Sequence, residues 1–175
     1  MPPTYQIIPA TTPHHLLAAR TLFTAYAAWL NIDLTFQNFQ AELSSLPGKY
    51  SPQEGGDLLL AYSSSADPSS SSSPLGCVAL RPLPVKDDER QQLCEVKRLY
   101  VAPEARKMGL GRALVSAIVT RAKELGYRGM RLDTLRSMEG PIRLYRSLGF
   151  VEVGPYYETP LVEETVFLGL DFGEE

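Results

Sequence analysis

The sequence predicts a mixed α/β fold, a single domain over residues 1–175 in which one mixed sheet carries helices on both faces. Three observations predict it. Apolar runs of strand and helix periodicity follow one another in the order β-α-α-β-β-β-α-β-α-β-β. A length of 175 residues at 44% hydrophobic content suits one domain with a full core. No internal repeat and no composition shift divides the chain.

The elements follow in order. Tyr5–Ile8 reads as the first strand. From Thr12 to Leu30 the residues Leu16, Ala19, Leu22, Phe23, Tyr26 and Leu30 recur at helical spacing, with Thr12 as N-cap and Pro13 at the first helical position. A shorter helix spans Leu34–Leu46, with Phe36, Phe39, Leu43 and Leu46 apolar, and Pro47-Gly48 ends it. Asp57–Tyr62 is an apolar strand. Ser63–Pro74 is dominated by serine and reads as a flexible hairpin loop, not a domain linker. Leu75–Leu83 and Leu93–Val101 are strands joined by the charged loop Pro84–Gln92, and Pro103 closes the second. From Gly109 to Leu125, Leu110, Ala113, Leu114, Ala117, Ile118 and Ala122 share one helical face, with Gly126 placed as a C′ glycine. Met130–Leu135 is a strand, Pro141–Leu148 a helix closed by Gly149, and Val151–Val153 and Thr165–Asp171 the last strands.

Composition narrows the function. Met1-Pro2-Pro3-Thr4 has neither a basic region nor an apolar run, so no secretory signal is expected, and no stretch approaches the roughly 20 apolar residues of a membrane span. The two cysteines, Cys77 and Cys94, lie on strands whose hairpin, centred near Asp87-Asp88, sets Cys77 opposite Arg98. A disulfide is not expected and a cytoplasmic location fits. The two histidines, His14 and His15, are adjacent at a helix start and read as solvated residues. No spacing of His, Cys and carboxylates suggests a metal, and no histidine follows residue 15 to activate a Ser or Cys nucleophile.

Charge is distributed unevenly. Between Lys97 and Arg146 there are 12 Lys or Arg against 4 Asp or Glu, a net of +8, while the remaining residues hold 5 against 16, a net of −11. An acidic chain, with a pI near 5.5, has gathered its positive charge around one loop. That loop, Arg106-Lys107-Met108-Gly109-Leu110-Gly111-Arg112-Ala113, follows a strand and opens the long helix. Two glycines leave N–H groups uncovered, and the helix start adds unpaired donors and partial positive charge, a combination that binds phosphate. A P-loop is excluded because Gly109 and Gly111 are too close and no Lys-Ser/Thr follows. A dinucleotide fingerprint would need glycine where Leu114 stands.

What remains is Leu-x-Val-x-Pro followed by Arg/Gln-x-x-Gly-x-Gly/Ala, here Leu99 to Gly111. A second block, Leu144-Tyr145-Arg146-Ser147-Leu148-Gly149-Phe150, stands one strand and one helix further on. In these two blocks the chain resembles the GNAT superfamily of N-acetyltransferases, over roughly Asp57–Asp171. The resemblance implies a mixed, mostly antiparallel sheet in one domain, and acetyl-CoA as acyl donor. It implies that backbone groups of Leu99, Tyr100 and Val101 take the pantetheine arm like an added strand. The pyrophosphate would lie on N–H groups of Met108, Gly109, Gly111, Arg112 and Ala113, around Leu110, with charge from Arg106 and Lys107. Tyr145 matches the family's general acid on the leaving thiolate. Glu95 stands where relatives often place the carboxylate that takes the amine's proton, and strand alternation puts it on one face with Lys97, Leu99 and Val101. Relatives often carry Asn seven residues before the tyrosine. That place is Met138 here, with Ser137 or Ser147 as substitutes.

The substrate side would draw on Phe36, Phe39, Lys49, Tyr50, Arg98, Tyr156 and Tyr157. Lys49 and Arg98 are placed to hold a carboxylate, which favours a small amino-acid-like amine. Asp87-Asp88-Glu89 and Glu163-Glu164 keep a polycationic amine open. A non-catalytic acyl-CoA sensor is the alternative from another class. Nucleic acid is not expected, since no aromatic platform interleaves the basic segment. A monomer or homodimer is expected.

Overall fold

A computed structural model of the chain describes residues 4–31, 34, 38–68, 72–84 and 92–173. Eleven principal elements run β1 (Tyr5–Pro9), α1 (Pro13–Leu30), α2 (Phe39–Ser45), β2 (Asp57–Ser63), β3 (Gly76–Leu83), β4 (Leu93–Val101), α3 (Leu110–Glu124), β5 (Gly129–Leu135), α4 (Glu139–Ser147), β6 (Val151–Glu152) and β7 (Thr165–Asp171). The seven strands form one sheet in the order β1-β2-β3-β4-β5-β7-β6. Every neighbouring pair is antiparallel except β4 and β5.

Both faces of the sheet are covered, so its central strands are apolar on both sides. Leu58, Leu60, Tyr62 and Ala79 pack with Ala19, Leu22 and Phe23 of α1. Leu59, Ala61, Val78 and Leu80 pack with Leu114, Val115 and Ile118 of α3 and with Tyr145 of α4. Thr12 caps α1 as expected, and His15 completes a capping box: its Nδ1 accepts from the Thr11 and Thr12 N–H groups at 3.1 and 3.3 Å. His15 is thus a buried cap, 8% exposed, not a solvated residue. Gly126 and Gly149 close α3 and α4 at φ 90 and 98. The second predicted helix is shorter than expected within the described residues, beginning at Phe39. The start of the serine-rich segment is tied down, with Gln6 Nε2 donating to the Ser63 and Ala66 carbonyls at 3.0 Å each.

An irregularity in β4 sets up the site. Cys77 pairs with Tyr100 and Ala79 with Lys97, so β4 advances one residue more than β3 between these pairs. Arg98 lies in this bulge in the left-handed region, at φ 60. The bulge overturns the simple alternation: Leu99 and Val101 join Val96 in the core under α3, whereas Glu95 and Lys97 share the opposite face with Ala79 and Tyr100. The register also differs from the expected one, with Cys77 facing Tyr100 rather than Arg98: the hairpin is displaced by one residue throughout and by one more at the bulge. Cys94 faces Pro82, and both cysteines are free and buried.

A second irregularity opens the sheet. The parallel pairing of β4 with β5 covers only Leu93–Glu95 against Gly129–Arg131. Beyond it β5 continues to Leu135 alongside β7. The two strands therefore fork, and the β5-facing backbone edge of β4 from Val96 onward has no strand partner.

Candidate active site

The fork holds a cavity of about 590 Å³. Its walls are Val96–Val101 of β4, Leu132–Leu135 of β5, the first turn of α3, and Leu144 and Tyr145 of α4. The end of α1 closes one side with Tyr26, expected only as a residue of the helix's apolar face, and Trp29, which the sequence did not single out.

One end of this cavity is built for an anion. Gly109 is the αL cap of α3 at φ 76, and a Cβ there would meet nothing within 4 Å, so glycine is required by conformation and not by space. At Gly111 a Cβ would lie 3.4 Å from Leu144 Cδ2. The N–H groups at the start of a helix have no intrahelical acceptor, and here Ala113 is the first to take a carbonyl, that of Gly109 at 3.1 Å. The Ala113 N–H expected to meet phosphate is thus already committed. Arg106, Lys107, Gly109, Leu110, Gly111 and Arg112 line the cavity, whereas Met108 and Ser137 do not. The Arg106 guanidinium lies over the rings of Trp29 (5.2 Å) and Tyr100 (5.9 Å), and its Nε donates to the Val101 carbonyl at 3.2 Å. Arg112 donates to Ser147 Oγ at 2.6 Å, and that hydroxyl donates to the Leu144 carbonyl at 2.7 Å. Ser147 therefore holds Arg112 in place and does not itself line the cavity. Met138 does line it.

Tyr145 also lines the cavity, 6% exposed, its ring packed edge-on against Phe150 at 5.6 Å. Burial raises its hydroxyl well above the ordinary tyrosine range, so the group keeps its proton at neutral pH.

Three carboxylates each take one cation and one tyrosine hydroxyl. Glu95 accepts from Arg81 Nε at 2.8 Å and from Tyr156 at 2.6 Å. Asp133 faces Lys97 Nζ at 3.4 Å and accepts from Tyr157. Glu42 accepts from Arg98 Nε at 2.8 Å and from Tyr50 at 2.7 Å. The rings of Tyr156, Tyr157 and Phe167 lie 5.3 Å apart, edge to face, and stiffen the cluster. Burial alone would raise Asp133, but Lys97 and the Tyr157 hydrogen bond outweigh it and hold the carboxyl below its ordinary value. Burial raises Tyr157 strongly, and Asp133 raises it further.

This arrangement corrects two expectations. Glu95 is 1% exposed, accepts a hydrogen bond on each oxygen and lines neither cavity, so it does not stand beside the cleft as the alternation implied. Arg98 is not available for a substrate carboxylate, because Glu42 engages its guanidinium twice in a pair that is 2% and 15% exposed. A second cavity of about 420 Å³ adjoins the first, lined by Lys49, Tyr50, Arg81 and Glu158 among others. Lys97, Arg98 and Tyr157 line both. Tyr156 lines neither and serves Glu95, Phe39 is core beneath Arg98 at 5.2 Å, and Phe36 and Asp87-Asp88-Glu89 lie outside the described residues. Asp133 and Glu42 were missed. The signal for Asp133 was a carboxylate inside an apolar strand, which a fold leaves buried only with partners. Among the described residues no group of His, Cys, Asp and Glu is arranged to hold a metal, and no helix is long and apolar enough to cross a membrane.

A forked sheet with an open strand edge, a helix start whose free N–H groups suit an anion and a buried tyrosine, all lining one cavity, fits an acyl-CoA-dependent acyltransferase. The model of the acetyltransferase (GNAT) family matches residues 32–150, and the chain belongs to that family. It is 36% identical over 162 residues to an uncharacterized N-acetyltransferase of Schizosaccharomyces pombe, covering 93% of this chain and 91% of the relative. It is 33% identical over 205 residues to one of Dictyostelium discoideum, covering 86% and 92%. A Salmonella typhimurium protein solved with its cofactor acetyl-CoA shares the fold at a TM-score of 0.70 and 20% identity, over 98% of this chain and 96% of that one.

Proposed function

We propose that the protein transfers the acetyl group of acetyl-CoA to the primary amine of a small, amino-acid-like molecule, by direct attack within a ternary complex. The observation that carries this reading is the meeting of two cavities at Lys97, Arg98 and Tyr157, one with an anion-binding end and the other open to a second substrate.

The residues present fit acetyl-CoA. The open edge of β4 at Leu99–Val101 suits the amides of an extended pantetheine arm. The uncommitted N–H groups of Gly109–Arg112, with Arg112, Arg106 and Lys107, suit its pyrophosphate. When bound, it supplies an acyl group activated as a thioester. Tyr145, kept protonated by burial, donates its proton to the departing sulfur. The walls of the fork exclude water that would otherwise compete with the amine. On the acceptor side the second cavity is of small-molecule size, and exposed Lys49 and Glu158 at its rim offer one charge of each sign. That pair suits a molecule carrying both a carboxylate and an ammonium group.

Calorimetric titration with acetyl-CoA, with CoA, ATP and NAD as controls, tests the donor. Selective micromolar binding of acetyl-CoA is expected, and absence of binding to any CoA species overturns the reading. Tyr145→Phe separates catalysis from mere sensing: binding is retained, while kcat falls by about 10²-fold.

A further inference from the structure

An amine that attacks a thioester must first lose a proton, and Glu95, paired with Arg81 and Tyr156, lines neither cavity through which the amine would reach it. Any acceptor must be reached where the two cavities meet. Among the described residues three side chains are there: Lys97, Arg98 and Tyr157. Ammonium and guanidinium groups carry donors only, and they repel a substrate cation. The Tyr157 hydroxyl has lone pairs to offer, because its proton is already directed onto Asp133 Oδ2.

We propose that Tyr157 and Asp133 form the proton relay for the amine substrate. This rests on the acetyl-transfer reading above and extends it to the acceptor side. The substrate ammonium gives one proton to Tyr157 Oη while Tyr157 gives its own to Asp133 Oδ2. The nitrogen lone pair so freed forms the N–C bond as the C–S bond breaks, Tyr145 gives its proton to the sulfur, and the second proton shed by the acylated nitrogen passes through water to restore Tyr145. Tyr157 then recovers its proton and the surplus one leaves to water through the second cavity.

The surroundings suit the role. The Tyr157 ring is clamped between Tyr156 and Phe167, each 5.3 Å away, so the hydroxyl is fixed in direction. The charged groups facing the pair are Lys97 and Arg98 from β4, Arg81 from β3 and Glu95 beside Tyr156. With Lys97 pairing Asp133 at 3.4 Å, the carboxylate stays ionised and ready to receive. The proton therefore passes through and does not rest there, and the substrate's own basicity sets how much depends on the relay.

The test compares wild type, Tyr157→Phe and Asp133→Asn over a panel of primary amines from strongly basic alkylamines to fluorinated amines already neutral at pH 7, read by thiol release from acetyl-CoA. Tyr157→Phe keeps the ring contacts and removes only the hydroxyl. Its kcat/KM is expected to fall about 10²-fold for basic amines and to approach wild type as amine pKa falls. Acetyl-CoA affinity should stay unchanged, Tm should fall only modestly with the lost hydrogen bond to Asp133, and Asp133→Asn should show the same dependence on amine pKa. A defect equal across the panel, or none, overturns the relay and leaves acetyl transfer standing. Failure of wild type to release thiol with any amine overturns both.

Discussion

Glu42→Ala is the substitution whose cost the structure defines most sharply. Glu42 Oε2 accepts from Arg98 Nε at 2.8 Å, and its Oε1 accepts from Arg98 Nη2 at 3.2 Å and Tyr50 Oη at 2.7 Å. The Arg98 side chain is 2% exposed. Its backbone sits at φ 60, a conformation that costs an L residue about 1–2 kcal/mol. Removing the carboxylate takes the Glu42 charge away from a buried guanidinium, and breaking such a pair costs about 3–5 kcal/mol. Glu42 is itself 15% exposed, so water reaches the gap and the lower end applies. A loss of about 3 kcal/mol lowers Tm by roughly 6–12 °C in a domain of this size. Urea unfolding followed by circular dichroism measures it, with an unchanged m value. Replacing both partners, as Glu42→Met with Arg98→Met, should recover to within about 1 kcal/mol of wild type, because both charges leave together. A single Glu42→Ala variant within about 0.5 kcal/mol of wild type would refute the reasoning that this buried pair stabilises the fold.

Three further outcomes are expected. Gly109→Ala should lose about 1 kcal/mol by strain alone, since space is open around its Cβ, whereas Gly111→Ala, which has no such strain, should fold normally and weaken acetyl-CoA binding in titration. Asp133 is held below its ordinary value, so its contribution to stability is full above about pH 4 and is lost as pH falls through the lower folded value; the stability difference between wild type and Asp133→Asn should be flat from about pH 8 to 5 and shrink below about pH 4. Burial pushes the Cys94 thiol up to about 12 and Cys77 higher still, so neither should react with a thiol reagent at pH 8 until the chain is unfolded.

The parts legible in the sequence are those fixed by neighbours in sequence. Thr12 and Pro13 at a helix start, Gly126 and Gly149 at helix ends, and the glycine pair before α3 each express a local backbone requirement. The two blocks around Gly109 and Tyr145 likewise fell on the elements expected of them, and the structure brings both to one cavity. What escaped depends on distant partners. The bulge at Arg98 arises from the register between β3 and β4, and nothing in Val96-Lys97-Arg98-Leu99 marks it. Glu95 looked like a base because its partner, Tyr156, stands 61 residues away. Trp29 became a cavity wall only because α1 ends beside the fork. Asp133 was passed over for a similar reason: its meaning depends on Tyr157, in the segment between β6 and β7.

The account turns on acetyl transfer to an amine, and product formation tests that most directly. Wild-type protein should be incubated with acetyl-CoA and a panel of amino acids and small primary amines, with CoA thiol and acetylated amine both quantified. The account predicts thiol release that depends on the amine and matches N-acetylated product one for one, with Tyr145→Phe slower by about 10²-fold. Tight acetyl-CoA binding with no amine-dependent release would contradict it and point to a protein that senses the acyl donor without consuming it.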